Sequence, residues 1–113
     1  MSDKYVSCAM LDADMIRAHE AGDDLSRFPL YHAPGIPTFY GALEIAHLLH
    51  VETVDTQTKR TRINRDTFPK VAYTAVVQVR YQSSVKVGAG MSQSEAVAIG
   101  LAFRAAIQNL LTG

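Results

Sequence analysis

The stretch VGAGMSQSEAVAIGLAFRAAIQNLL, Val87–Leu111, decides the fold. It reads as a strand end, a turn of small residues and a long amphipathic helix. Ser92 and Glu95 match the S-x-x-E capping box, in which each side chain accepts from the other residue's backbone N–H. Ala96, Ile99, Phe103, Ala106 and Leu110 recur at three- and four-residue spacing, and Ile107 and Leu111 widen the stripe. Ala98, Gly100, Ala102 and Ala105 are small enough to let the helix approach a sheet or a second helix closely. Gly100 costs about 1 kcal/mol relative to Ala in a helix interior, so a close contact is expected there.

Working upstream, KVAYTAVVQVRYQ is the clearest strand. Val71, Tyr73, Ala75, Val77, Val79 and Tyr81 fall on one face, which the alternation predicts to be core. Ala72, Thr74, Val76, Gln78 and Arg80 fall on the other. A turn near Gln82–Ser84 should fold SSVKVGAG back on this strand as a hairpin. Before it, ETVDTQTKRTRINR is Thr-rich and alternating, which predicts a third, more polar strand. Pro69 fits a strand start, where no ladder N–H is needed. Thr38 can cap a helix running to about His50, with Leu43, Ile45, Ala46 and Leu49 on its apolar side. Gly41 weakens the first turn of that helix. In the N-terminal third, KYVSCAML has strand character and DADMIRAHEAGDD a short helix closed near Gly22. FPLYHAPGIP reads as a linker without regular structure, with Phe28, Leu30, Tyr31 and Ile36 expected to pack.

The predicted class is α+β. Residues 37–113 form a two-layer sandwich of a three-stranded antiparallel meander and two helices, αβββα, and residues 1–36 an extension packed on it. With 113 residues, a single domain over 1–113 is expected, large enough to bury a core without metal or disulfide. The lone Cys8 cannot form an internal disulfide, which points to a reducing, cytoplasmic setting. No apolar run reaches the length of a membrane span.

Net charge is zero, but its distribution is uneven. Residues 1–58 hold three basic and nine acidic side chains. Residues 59–86 hold seven basic ones and a single acid, Asp66. The basic element either lies against the acidic half or faces an anionic partner. In TKRTRINR, Lys59 and Thr61 alternate with Arg60 and Arg62, offering charge to both faces and predicting an edge position. Arg65 and Lys70 adjoin it. These five residues are the candidate nucleic-acid or partner-binding site, a ribbon that tracks phosphates.

The layout resembles the double-stranded RNA-binding domain over about 75 residues. That family's last strand and helix read G-x-G-x-S-K-K-x-A-K. Here Gly88, Gly90, Ser92 and Ala96 stand at matching places, and Leu43 and Glu44 loosely match an L-x-E pattern on the first helix. Gln93, Ser94 and Val97 replace the three lysines that in the family reach phosphate, and INRDTFPK replaces its G-P-x-H loop. The chain is also similar to small phage-encoded proteins of the α–β–α sandwich type, which end in a hairpin and a helix of this kind. The resemblances imply a scaffold more than an activity.

No catalytic signature is present, and no cofactor is implied. Going from Glu44 to His50 turns about 240° past one full turn at ~100° per residue, so Glu44, His47 and His50 cannot all converge on a metal. Cys8, His19 and His32 are too scattered to complete one, and no metal ligands are assigned. Asp12, Asp14, Glu20, Asp23 and Asp24 read as a solvated helix face. The expected function is a small non-enzymatic binding protein, from a phage or mobile element, contacting nucleic acid through residues 59–70. The alternative is an inhibitor or adaptor that uses the same fold to contact a host protein. The edge strand and the Ala-rich side of the last helix also admit a homodimer.

Overall fold

A computed structural model describes residues 2–65 and 68–113, with side chains over 10–62 and 71–113. In chain order the elements are α1 (Ser2–Glu20), β1 (Tyr31–Ala33), β2 (Ile36–Pro37), α2 (Phe39–Leu49), β3 (Glu52–Arg65), β4 (Phe68–Tyr81), β5 (Ser84–Ser92) and α3 (Glu95–Thr112). The class is α+β. β3, β4 and β5 form an antiparallel sheet in that order, and β1 and β2 a separate two-stranded one.

The alternation of β4 sets the core. Ala75, Val77 and Val79 are buried against Ala98, Ala102, Ala106 and Ile107 of α3 and Ala42 of α2. Ile99 and Phe103, expected inside, are half-buried at the border. The sheet-facing side of α3 is its small-residue side, because β5 runs directly beneath. A Cβ at Gly90 would stand 2.6 Å from the Ala98 carbonyl oxygen and 2.7 Å from the Ala102 nitrogen. The Ala-rich side of α3 is therefore not a free surface for a second copy. Gly100 meets α1, where an added Cβ would lie 2.6 Å from Ile16 Cδ1.

The capping of α3 differs from the sequence expectation. Ser92 pairs with Tyr73 as the last ladder residue of β5, so it is committed to the sheet. Ser94 is the N-cap and accepts from the Val97 N–H, while Ser92 Oγ accepts from the Ser94 N–H at 3.2 Å. Thr38 caps α2 as predicted, accepting from the Gly41 N–H at 3.1 Å. Gly41 is there because the Leu30 carbonyl presses on it.

The N-terminal third departs most. KYVSCAML is not a strand; it continues the helix α1. Once Leu11, Met15 and Ile16 anchor a helix on Phe39, Val97 and Leu101, propagation adds one hydrogen bond per residue and outweighs the β character of the sequence. α1 closes at Gly22 (φ 80°), with the Asp23 N–H on the Ala18 carbonyl and the Gly22 N–H on the His19 carbonyl, a Schellman motif. FPLYHAPGIP is not irregular throughout. Pro34-Gly35, with Gly35 at φ 77°, turns β1 onto β2. Phe28 packs against the α1 cluster, but Leu30, Tyr31 and Ile36 are exposed, and Leu25, Pro37 and Thr38 are buried in their place.

The hairpin turn between β4 and β5 holds Gln82 at φ 56°. Left-handed backbone costs an L-residue about 1–2 kcal/mol. Gln82→Gly is expected to raise the unfolding free energy by about 1 kcal/mol, read as a higher urea midpoint at unchanged slope.

Candidate nucleic-acid interface

β3 is an edge strand, as the charge alternation predicts. Its register on β4 fixes which side each residue takes. Arg60 opposes Tyr73 and Arg62 opposes Val71, so both lie on the side of the sheet that carries the helices. Lys59 opposes Thr74 and Thr61 opposes Ala72, on the outer side. Every residue from Glu52 to Arg62 is exposed.

β5 pairs β4 only from Tyr73 to Tyr81, whereas β3 pairs it from Phe68 to Arg80. The far end of the β3–β4 hairpin, Thr61–Arg65 with Phe68–Ala72, therefore projects past the third strand as a two-stranded arm. At ~3.4 Å per residue this overhang spans roughly 17 Å. Lys59 and Arg60 stand at its base and Arg62 on it. Backbone pairing sets Lys70 opposite Ile63 and Arg65 opposite Phe68. The side chains of Arg65 and Lys70, and residues Asp66 and Thr67, lie outside the described residues.

Among the described residues, no acidic side chain pairs with Lys59, Arg60 or Arg62. Among the described residues the ion pairs are Arg17–Asp14, His32–Asp12, Arg80–Glu52 and Arg104–Asp12. Lys59, Arg60 and Arg62 take part in none of them. On the helix side of the sheet, beside Thr53 and Thr56 and away from the arm, a cleft of about 290 Å³ opens between α1, α2, α3 and β3. Phe39, Leu43, Ile99 and Phe103 give it apolar walls, Thr53 and Thr56 belong to β3, and His19 and Glu20 to the end of α1.

The sequence reading missed a second polar cluster. Asp12 is buried, not solvated, because it falls on the stripe of Leu11, Met15 and Ile16 that faces the rest of the chain. Its carboxylate accepts from the Phe39 N–H at 2.9 Å and from His32 Nε2 at 3.0 Å. Arg104 Nε lies 3.3 Å away. Arg104 also donates to the Pro37 carbonyl at 3.1 Å and to Gln108 at 2.7 Å. Four segments thus meet on one carboxylate: α1, β1, the start of α2 and α3. A negative charge at a helix N-terminus is favourable in itself. With three donors already converging, Asp12 acts as a clamp. The signal in the sequence was an aspartate at a stripe position.

Asp24 is exposed and different in kind. The Ser26 hydroxyl at 2.6 Å and the Ser26 N–H at 3.0 Å, with Arg27 nearby, hold its carboxyl below the usual range. The stabilisation of this turn is present above the ordinary carboxylate pKa and is lost as pH falls through the lowered one.

Glu44, His47 and His50 are all exposed on or beside α2. No group of three metal-ligating side chains converges among the described residues. No helix among the described residues is long and apolar enough to cross a membrane. No protein-family model matches the chain, and no curated protein matches it.

Proposed function

We propose that this chain is a non-enzymatic binding protein that holds nucleic acid along the β3–β4 arm, through Lys59, Arg60, Arg62, Arg65 and Lys70. The carrying observation is the arm and its base: a two-stranded ribbon extending past β5, with exposed Lys59 at the base on the outer side, exposed Arg60 and Arg62 on the helix side, and no ion pairs to them among the described residues. A B-form major groove is ≈ 12 Å wide and admits a two-stranded β-ribbon. Inside a groove, phosphates flank the ribbon on both sides, which suits a strand whose charges alternate in direction. The order α2–β3–β4–β5–α3 supports a scaffold like the double-stranded RNA-binding domain, turned to another grip. In that family the grip lies at the start of the last helix. Here that position holds Gln93, Ser94 and an exposed Glu95, whose charge opposes phosphate.

A second reading is favoured by one observation. The outer side of the sheet carries exposed Val76, Val85, Val87 and Met91. An apolar patch of this kind suits a protein partner, in an adaptor or inhibitor of a host nucleic-acid-handling protein in a phage or mobile-element setting.

The test is a titration of duplex RNA, duplex DNA and single strands at two salt concentrations. Binding should weaken with salt at a slope of about −0.9 per phosphate contacted on duplex DNA. Reversing Arg60 and Arg62 to Glu should abolish it, and changing Gln93 and Ser94 to Ala should leave it within two-fold. No binding to any of these at low salt rejects the nucleic-acid reading and leaves protein contact.

A further inference from the structure

We propose that β3 pairs antiparallel with β3 of a second copy of this chain, about a two-fold axis through Gln57. This rests on the strand's edge and its charge order, not on nucleic-acid binding.

Among the described residues, β3 leaves one edge of backbone N–H and C=O groups without a strand partner, and its residues are exposed from Glu52 to Arg62. Such an edge is a template for another chain unless it is guarded. The guards here are charges and a bulge at Val54, where the β3–β4 register shifts between Thr53 and Asp55. From Asp55 onward the strand is regular. Its outer side then reads Asp55, Gln57, Lys59, and its helix side Thr56, Thr58, Arg60.

A two-fold interface is self-complementary, so residue i meets j and j meets i. Antiparallel pairing centred on Gln57 sets Asp55 against the second copy's Lys59, and Lys59 against its Asp55. Thr56 meets Thr58 on the other side. These opposed pairs share a face, as cross-strand pairs must. Neighbouring registers do not work as well. Centring on Thr58 sets Asp55 against Thr61. Centring on Lys59 sets Lys59 against itself, and centring on Arg60 sets Arg60 against itself. The charges thus select one register and oppose others.

Asp55 and Lys59 are available for this. Among the described residues neither has an ion partner within the chain. Gln57 Nε2 donates to Asp55 at 2.9 Å, which aligns both side chains on the outer side beside the axis. The Val54 bulge ends regular pairing at Asp55, so each copy contributes the short run Asp55–Lys59. The dimer is accordingly concentration-dependent. Arg62 lies beyond the paired run, and the arms point away from the axis.

The experiment is sedimentation equilibrium of the full chain, up to its solubility limit, with charge reversals that can rescue each other. Asp55→Lys turns both ion pairs into Lys–Lys contacts, and Lys59→Asp turns both into Asp–Asp contacts. Each alone should weaken the dimer by roughly ten-fold or more. Mixed in equal amounts, the two variants should form a heterodimer at wild-type strength, because every contact is then opposite in sign. Circular dichroism checks that each variant is folded. An independent measurement uses Gln57→Cys in a Cys8→Ser background. Opposed residues across the axis lie about 4.5–5.5 Å apart, within disulfide range, so mild oxidation should give a covalent dimer. Thr61→Cys in the same background should not cross-link. A wild-type chain that stays monomeric and gives no Gln57→Cys cross-link overturns the proposal. So does a dimer that both reversals leave intact, or a mixture that fails to associate.

Discussion

Replacing Gly88 by alanine is expected to lower the unfolding free energy by about 4 kcal/mol, a large share of the 5–15 kcal/mol typical of a domain. Gly88 is buried in β5 opposite Val77, with α3 lying across it. A Cβ there would overlap the Ala106 nitrogen and the Ala102 carbonyl oxygen, and would stand 2.8 Å from the Ala105 carbonyl carbon. All three are backbone atoms, so no rotamer change can relieve the clash. The helix must lift, which separates Ala98, Ala102, Ala106 and Ile107 from Ala75, Val77 and Val79. Adding a methyl to a packed core costs about 1–3 kcal/mol when side chains can adjust. Here they cannot, and the cost should exceed that range. The measurement is urea unfolding beside Ala89→Ser, an exposed position on the outer side of the same strand, which should change stability by less than about 0.5 kcal/mol. A Gly88→Ala protein as stable as wild type would mean that α3 does not sit on β5 in this way.

That contact also marks what the sequence could reveal. Alternation on β4 gave the core side at Ala75, Val77 and Val79, which are buried, with Thr74, Val76 and Arg80 exposed, but Ala72, assigned to the other side, is buried as well. The edge position of β3 followed from charge pointing to both sides. The Ala and Gly run of α3 predicted a close approach, but not to what. Periodicity placed Ile99 and Phe103 at the centre because large residues dominate a hydrophobic stripe. The sheet instead accepts the small side, where Gly88 and Gly90 let two backbones meet. The capping box failed for a related reason. Ser92 satisfies both a helix-start pattern and a strand-end pattern, and pairing with Tyr73 decided between them. In α1 a local β preference lost to packing that only the tertiary arrangement supplies. For the basic element, residue types and edge position were legible. Its projection beyond β5 was not, because that depends on the registers in which β3 and β5 pair with β4.

Removing the Asp12 carboxylate should be nearly as damaging as the Gly88 change, although its only mark in the sequence is an aspartate on the stripe of Leu11, Met15 and Ile16. Asp12→Ala is expected to cost about 3–5 kcal/mol, the range for breaking a buried ion pair from one side. It strips the Phe39 N–H of its side-chain acceptor, takes the carboxylate from His32, and leaves Arg104 with only the Pro37 carbonyl and Gln108 as partners. Asp12→Asn keeps an acceptor for the Phe39 N–H but removes the charge opposite Arg104, so it should cost about half as much. The clamp joins segments distant in sequence, so its loss should loosen α1 and the β1–β2 turn from the sheet. Hydrogen exchange should rise first over α1, before β4. A double-mutant cycle of Asp12→Ala with His32→Ala gives the decisive number. Side chains sharing one carboxylate should show a coupling of about 1–3 kcal/mol, because removing the second partner costs less once the first has gone. Strict additivity would mean that His32 stands beside Asp12 without bonding to it, and that α1 is held by its apolar stripe of Leu11, Met15 and Ile16 alone.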